Sequence, residues 1–328
     1  DAANTITVTA DVDVTGTLNT SAGGDHSFGS LAINSGGTYS ATSGVTTINS
    51  ENGSGLAIDI DGVFVHNSGT VTIVTQANTT ADLIPASGNN LNDLIINHNS
   101  CVIELKGATT IDGDLTVTDG TLTTESSGDN LTVTGHVIVG ASGDLGRTAS
   151  TGSWTFGSLT IADGGTYIAT SGTTEITSRD GDGNGWDNEE TDETGFVHNN
   201  GTVEITHPSQ NVFVNEATFY NLTLNLGGAG DEIRSGGYDR FDDLTILNDF
   251  TITSGEFRMM QAGDALTVHG NTYVGANGIF GINSPTGTHT FNGLVTNAGT
   301  FNTTSGTNNF NAGVRNTGTF TSNDTLTI

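Results

Sequence analysis

The residue types best suited to chemistry are concentrated in RDGDGNGWDNEETDE, residues 179–193. Asp180, Asp182, Asn184 and Gly185 follow the D-x-D-x-N-G opening of a calcium loop. In such a loop alternate oxygens converge on one cation and the glycine permits the sharp turn. The Trp186 carbonyl would follow as a ligand, and Asp187 and Glu190 add carboxylates. The match then departs, because the twelfth position is Thr191 rather than a bidentate Glu, so Glu189, Glu190 or Asp192 would have to substitute. No flanking helices are apparent, so this is not an EF-hand proper. The expectation is a structural Ca2+ site built from Asp180, Asp182, Asn184, Trp186, Asp187 and Glu190, and the alternative is a solvated acidic loop. An earlier stretch of the chain has ENGSGLAIDID at the corresponding place, which makes the acidic segment read as an insertion.

Other polar groups point less sharply. Asp112 and Asp114 in IDGDL, and Asp59 and Asp61 in IDIDG, fit turns better than ligand sets. His66 and His198 hold the same place in two FVHN segments, and the remaining histidines show no common ligand spacing. Segment GYDRFDD, residues 237–243, gathers Tyr238, Asp239, Arg240, Asp242 and Asp243. Carboxylates on neighbouring strands can stand ~5 Å apart, the separation used in retaining glycoside cleavage. A polar turn with a local ion pair is the better reading of that segment. The chain has no nucleophile elbow, phosphate loop or dinucleotide fingerprint, and it is expected not to be an enzyme. The lone cysteine, Cys101, excludes an intrachain disulfide and reads as a small buried hydrophobe. Trp154, Trp186, Tyr220, Tyr238 and Tyr273 are too scattered to form a sugar-stacking platform.

A formal charge of -29, from 36 acidic and 7 basic residues, sets the partners. That field repels nucleic acid and anionic membranes. No run approaches the 18 apolar residues of a membrane span. Lys106 is the sole lysine.

The elements that must position these groups are strands. Thr favours strands, and abundant Gly, Asn and Ser favour turns. Residues 5–18, TITVTADVDVTGTL, alternate with period two. No window carries a 3.6-residue apolar period over three turns. The segment GSLAINSGGTYSATSGVTTINS (29–50) returns as GSLTIADGGTYIATSGTTEITS (157–178), about two thirds identical. Leu31, Ile33, Tyr39 and Ile48 become Leu159, Ile161, Tyr167 and Ile176, so an apolar strand, a glycine turn and another strand are what repeats. Further pairs keep the same order at offsets of about 125 to 135 residues. They divide the chain into residues 1–129, 130–264 and a partial third copy, 265–328. Inside this duplication runs a shorter period: FNGLVTNAGTF at Phe291 is followed nineteen residues on by FNAGVRNTGTF at Phe310. The fold expected is therefore all-β, a parallel β-solenoid of roughly 20-residue coils, each too small to bury its own apolar side chains and covered by its neighbours. A tandem of β-sandwiches gives no reason for a nineteen-residue echo.

FVHNNGTVEI, TFYNLTLN and the GDLTVTDGTL segments resemble the strand repeats of secreted surface and fibre proteins, including filamentous-haemagglutinin-like adhesins of bacteria and related archaeal and phage fibres. The resemblance spans nearly the whole chain. It implies a secreted or cell-surface solenoid serving as a structural fibre protein, with head-to-tail stacking into a homo-oligomer or filament through exposed terminal strands. A calcium-dependent adhesin or glycan-binding module is the alternative, and a carbohydrate-active enzyme a more distant one.

Overall fold

In the computed structural model the described residues are 4–75, 80–84, 90–189, 194–207, 211–215, 218–228, 231–235, 243–259, 263–282, 286–303, 306–322 and 326–327. Among them there is no helix, and every strand pairing is parallel. The fold is a parallel β-solenoid. Two compact units are formed: one from Asp1–Thr155, Ile161–Thr170 and Thr194–Val197, the other from Phe156–Thr160, Ser171–Glu193 and His198–Ile328.

In the first unit each early coil contributes three strands to three columns. The first column starts with Thr7–Val8 and continues through His26–Phe28, Val45–Ile48 and Thr70–Ile73. The second starts with Val12–Val14 and runs through Leu31–Ile33, Leu56–Ile60 and Thr80–Ile84. The third is Thr17–Asn19, Thr38–Ser40 and Val63–Val65. Farther on, the first two columns are joined in long strands, Asp93–Leu105 and Leu115–Thr124. Register partners stand 19 residues apart at Val12 and Leu31, and 26 apart at Leu56 and Asp82, so loops absorb the variation between coils.

Alternation along each strand sends one set of side chains inward. Leu31, Ile58 and Leu83 lie in one inward row, each at most 2 % exposed. Aromatic inward rows occur in both units; in the first, Tyr39 is in register with Phe64 and Tyr167 with Phe196. Phe280, Phe301 and Phe320 stack at centroid distances of 4.3 and 5.2 Å, and Phe291 lies 5.1 Å from Phe310. Offset and edge contacts of this kind add to the area they bury. The nineteen-residue echo is thus one coil, with Phe301 and Phe320 directly in register.

The duplication does not contain a whole number of coils. Val137–Val139 repeats the place of Val12–Val14 in sequence. Its register partners, however, are Leu115–Val117, whose row leads back through Leu94, Val71 and Thr46 to His26. The repeat therefore begins one strand column away from where the first copy began.

Candidate functional site

The acidic segment is a turn followed by a strand. Asp180 Oδ1 accepts from the amides of Asp182 (2.9 Å) and Asn184 (2.8 Å), and the Asp180 amide donates to the Asn184 carbonyl at 2.8 Å. Gly183 closes the turn at φ +96°. Asn52 does the same in the first copy: its Oδ1 accepts from Ser54 and Leu56 at 2.9 and 3.1 Å, its amide donates to the Leu56 carbonyl at 2.9 Å, and Gly55 has φ +82°. Residues 180–188 therefore occupy the place of 52–60 bond for bond, which corrects the reading of the whole segment as an insertion. The offset is 128 residues at Asn52/Asp180 and 132 at Phe64/Phe196, so the added length is four residues. They fall between Asn188 and Phe196; Glu190 belongs to residues 190–193, which lie outside the described residues.

Of the other candidate ligands, Asn184 and Asp187 lie beside Asp180, with Asn184 Nδ2 3.5 Å from Asp180 Oδ2. Trp186 turns its ring into the core, 0 % exposed and 5.5 Å from Phe219. Asp182 is exposed. Asn184 Nδ2 donates to Asp187 Oδ2 at 3.2 Å, and Asn215 Nδ2, from the next coil, donates to Asp187 Oδ1 at 3.1 Å. Asp187 is thus a tie between coils. Its counterpart Asp59 has a carboxyl pushed up by burial and then by the neighbouring Asp61. Among the described residues, no group of three or more His, Cys, Asp or Glu side chains is arranged to hold a metal ion.

His66 and His198 shape turns. Asn67 and Ser68 have φ 48° and 60°, Asn199 and Asn200 have 45° and 58°, and the His carbonyls accept from Gly69 and Gly201 at 2.9 and 2.8 Å. Two left-handed residues closed in this way form a type I′ turn, which favours Asn and Gly. Each imidazole Nδ1 also accepts the amide two residues on, at 2.9 Å in His66 and 3.0 Å in His198. That leaves Nε2 for the proton of the neutral ring. His198 lies 5.5 Å from Tyr220, and burial lowers its pKa.

A device not anticipated from the sequence occurs at the corners. Asp or Asn side chains accept the amide of a residue one coil on. Asp25 accepts from Val45 (2.9 Å), Asp93 from Asp114 (2.9 Å), Asp114 from His136 (2.7 Å), Asn130 from Ser153 (2.8 Å) and Asp249 from Asn271 (2.7 Å). In all five a glycine immediately precedes the donor. At Gly135 a Cβ would stand 2.2 Å from Asp114 Oδ1 and 2.5 Å from the Gly113 carbonyl. Asp25, Asp93, Asp114 and Asp249 thus serve backbone amides that a short loop leaves unpaired.

Charge pairs run across coils as well. Lys106 Nζ reaches Asp82 (3.2 Å), Glu104 (3.2 Å) and Glu125 (2.7 Å), with the Glu125 hydrogen bond chief in raising its pKa. In the second unit Glu232 is in register with Glu256, and Arg234 with Arg258. Glu232 pairs with Arg234 and also with Arg258 (3.3 Å), and Glu256 pairs with Arg258 (2.6 Å).

Cys101 is buried, 2.7 Å from Thr75 Oγ1, and burial pushes its thiol up, as suits an inert core position. Trp154 is also a core residue. Of GYDRFDD only Asp243 is described, and its Oδ1 accepts the Ala265 amide at 2.9 Å. Tyr238, Asp239, Arg240 and Asp242 lie outside the described residues. No protein-family model, curated protein or solved structure matches the chain.

Proposed function

We propose that this chain is a structural protein of an extracellular fibre, extended by one coil stacking upon another of the same kind. The observation that supports this reading is that each coil's apolar rows are closed by the coil next to it: Leu31, Tyr39, Val295 and Phe301 are buried, and their register partners Val12, Leu18, Val314 and Phe320 are half-exposed. A further coil would cover such rows, whether it belongs to the same polypeptide or to another copy, and coils stacked in this way build an extended fibre. A repeated stack of in-register strands is suited to carrying load along its axis and needs no cleft.

Electron microscopy and sedimentation of the purified chain test the reading. Fibres that grow with concentration, and are blocked by Phe320→Lys, are the expected result. Monodisperse short particles at high concentration, with and without calcium, refute self-assembly. Glycan binding by such monomers would favour the adhesin reading in its place.

A further inference from the structure

An asparagine followed by glycine is open to attack by its own backbone, because the next residue has no Cβ to block the approach. The chain has five such pairs: Asn52–Gly53, Asn184–Gly185, Asn200–Gly201, Asn277–Gly278 and Asn292–Gly293. We infer that the turn at Asn52–Gly53 is a site of covalent self-modification, where the Gly53 nitrogen expels the Asn52 side-chain amine as ammonia and water then leaves an acid at position 52.

The fold singles out this pair. Gly201 and Gly293 donate their amides to the His198 and Gly270 carbonyls at 2.8 and 3.0 Å, which ties up the nucleophile. Gly185 and Gly278 are buried, each within a strand, and Asn184 Nδ2 also donates to Asp187 at 3.2 Å. Gly53 is exposed, and its amide has no hydrogen-bond partner among the described residues. Nor does Asn52 Nδ2, the leaving group, have one there. A Cβ at Gly53 would meet nothing within 4 Å, so the residue has room to turn its nitrogen toward the side chain.

The electrophile is prepared as well. Asn52 Oδ1 accepts from the amides of Ser54 at 2.9 Å and Leu56 at 3.1 Å. Two backbone donors on one carbonyl oxygen polarise the carbon under attack and hold the negative charge that the oxygen takes up when that carbon becomes tetrahedral. The Gly53 nitrogen first loses its proton to hydroxide. Its bond to Cγ forms, the Cγ–Nδ2 bond breaks, and the amine takes a proton from water and leaves as ammonia. The product is a succinimide ring. Water opens it at either carbonyl, giving aspartate or isoaspartate.

The second copy already holds the aspartate in this turn. Asp180 Oδ1 accepts the amides of Asp182 and Asn184, the counterparts of Ser54 and Leu56. An ionised carboxylate is a poor electrophile, so Asp180–Gly181 resembles the product and not a second reactive pair. The flanks differ, because Arg179 precedes Asp180 and Glu51 precedes Asn52, so a new charge at position 52 stands beside a like one. The aspartyl product keeps the bonds of the turn. The isoaspartyl product lengthens the backbone and loses them.

Peptide mass mapping of the whole chain, incubated at neutral pH, tests this. The mass gain of amide-to-acid conversion should appear at Asn52 at least about tenfold faster than at the other four pairs, and faster still as pH rises. In the urea-unfolded chain all five should react alike, which separates the fold's selection from the sequence's. Gly53→Ala has room for its methyl and should slow the reaction at Asn52 about tenfold with the melting temperature unchanged. Asp180→Asn should create the same reactivity at position 180, since Gly181 is exposed and the same two donors face the side chain. A native chain in which Asn52 reacts no faster than Asn200 or Asn292 overturns the inference. So does an Asp180→Asn chain that stays unreacted at 180 while Asn52 converts.

Discussion

Acid should loosen the second unit through one buried imidazole. His289 is 0 % exposed, and neither ring nitrogen has a hydrogen-bond partner among the described residues. It follows Leu266 in an inward row and is followed by Asn308, whose amide is equally buried and without a partner there. Burial lowers its pKa from 6.5 to about 4. Between those values the unfolded chain takes up a proton that the folded chain refuses, so stability falls as pH falls. The native preference is complete above pH 6.5 and is spent by about pH 4. At 1.36 kcal/mol per pH unit the loss is about 3 kcal/mol. Leu at this position would continue the Leu244–Leu266 row. Solenoids can open locally, so the measurement should be local as well: amide hydrogen exchange of Thr288–Phe291 and Thr307–Phe310, converted to opening free energies between pH 7 and 4. Carboxylates elsewhere contribute their own acid dependence, and the difference between the native chain and His289→Leu removes it. The native chain should lose about 3 kcal/mol more than the variant over this range. Parallel loss in the two chains would refute the argument.

Two further substitutions test the turn and the corner. Asp180→Asn should keep the turn, because Asn52 makes the same bonds, whereas Asp180→Ala should cost about 1 kcal/mol in chemical denaturation. Calcium calorimetry on the same variants is decisive for the ion: heat in the native chain that vanishes in Asp180→Asn would make this carboxylate a ligand. Gly135→Ala should destabilise by about 2 kcal/mol, since its Cβ would meet the Gly113 carbonyl at 2.5 Å, a backbone atom with no rotamer to escape into. A melting temperature unchanged from the native chain would show that the corner yields without strain.

How legible these features were in sequence depended on how regular their spacing was. The inward rows depend on strand alternation, and FNGLVTNAGTF followed by FNAGVRNTGTF places Phe301 under Phe320 with no loop between them to blur the count. The corner device was hidden because its Asp or Asn and its Gly sit on different coils. Their separation drifts with loop length, from 19 residues for Asp25 and Gly44 to 22 for Asn130 and Gly152. The acidic turn reads in two ways. D-x-D-x-N suits a cation, but a carboxylate at the first position serves equally well as acceptor for the amides two and four residues on. Asn52, which has no charge, forms the same turn and was the signal that the backbone alone accounts for it.

What the duplication keeps bears on function. Leu31 and Leu159, Tyr39 and Tyr167, and Ile48 and Ile176 are all buried, whereas Ser40, half-exposed, becomes Ile168 and the exposed Ser35 becomes Asp163. Within residues 29–50 every buried position is repeated in 157–178, whereas the outward positions are repeated only in part. Because Val137–Val139 stands on the column of Leu115–Val117 rather than on that of Val12–Val14, the first unit shows the repeat restarting one column over. A surface that read a repeated ligand would need counterpart residues in one row, which requires a whole number of coils per copy. A scaffold requires only that each coil present inward rows its neighbour can cover, and any starting column satisfies that. The slip in phase therefore argues for a chain whose repeated element is the stacking core itself, with outer faces set locally.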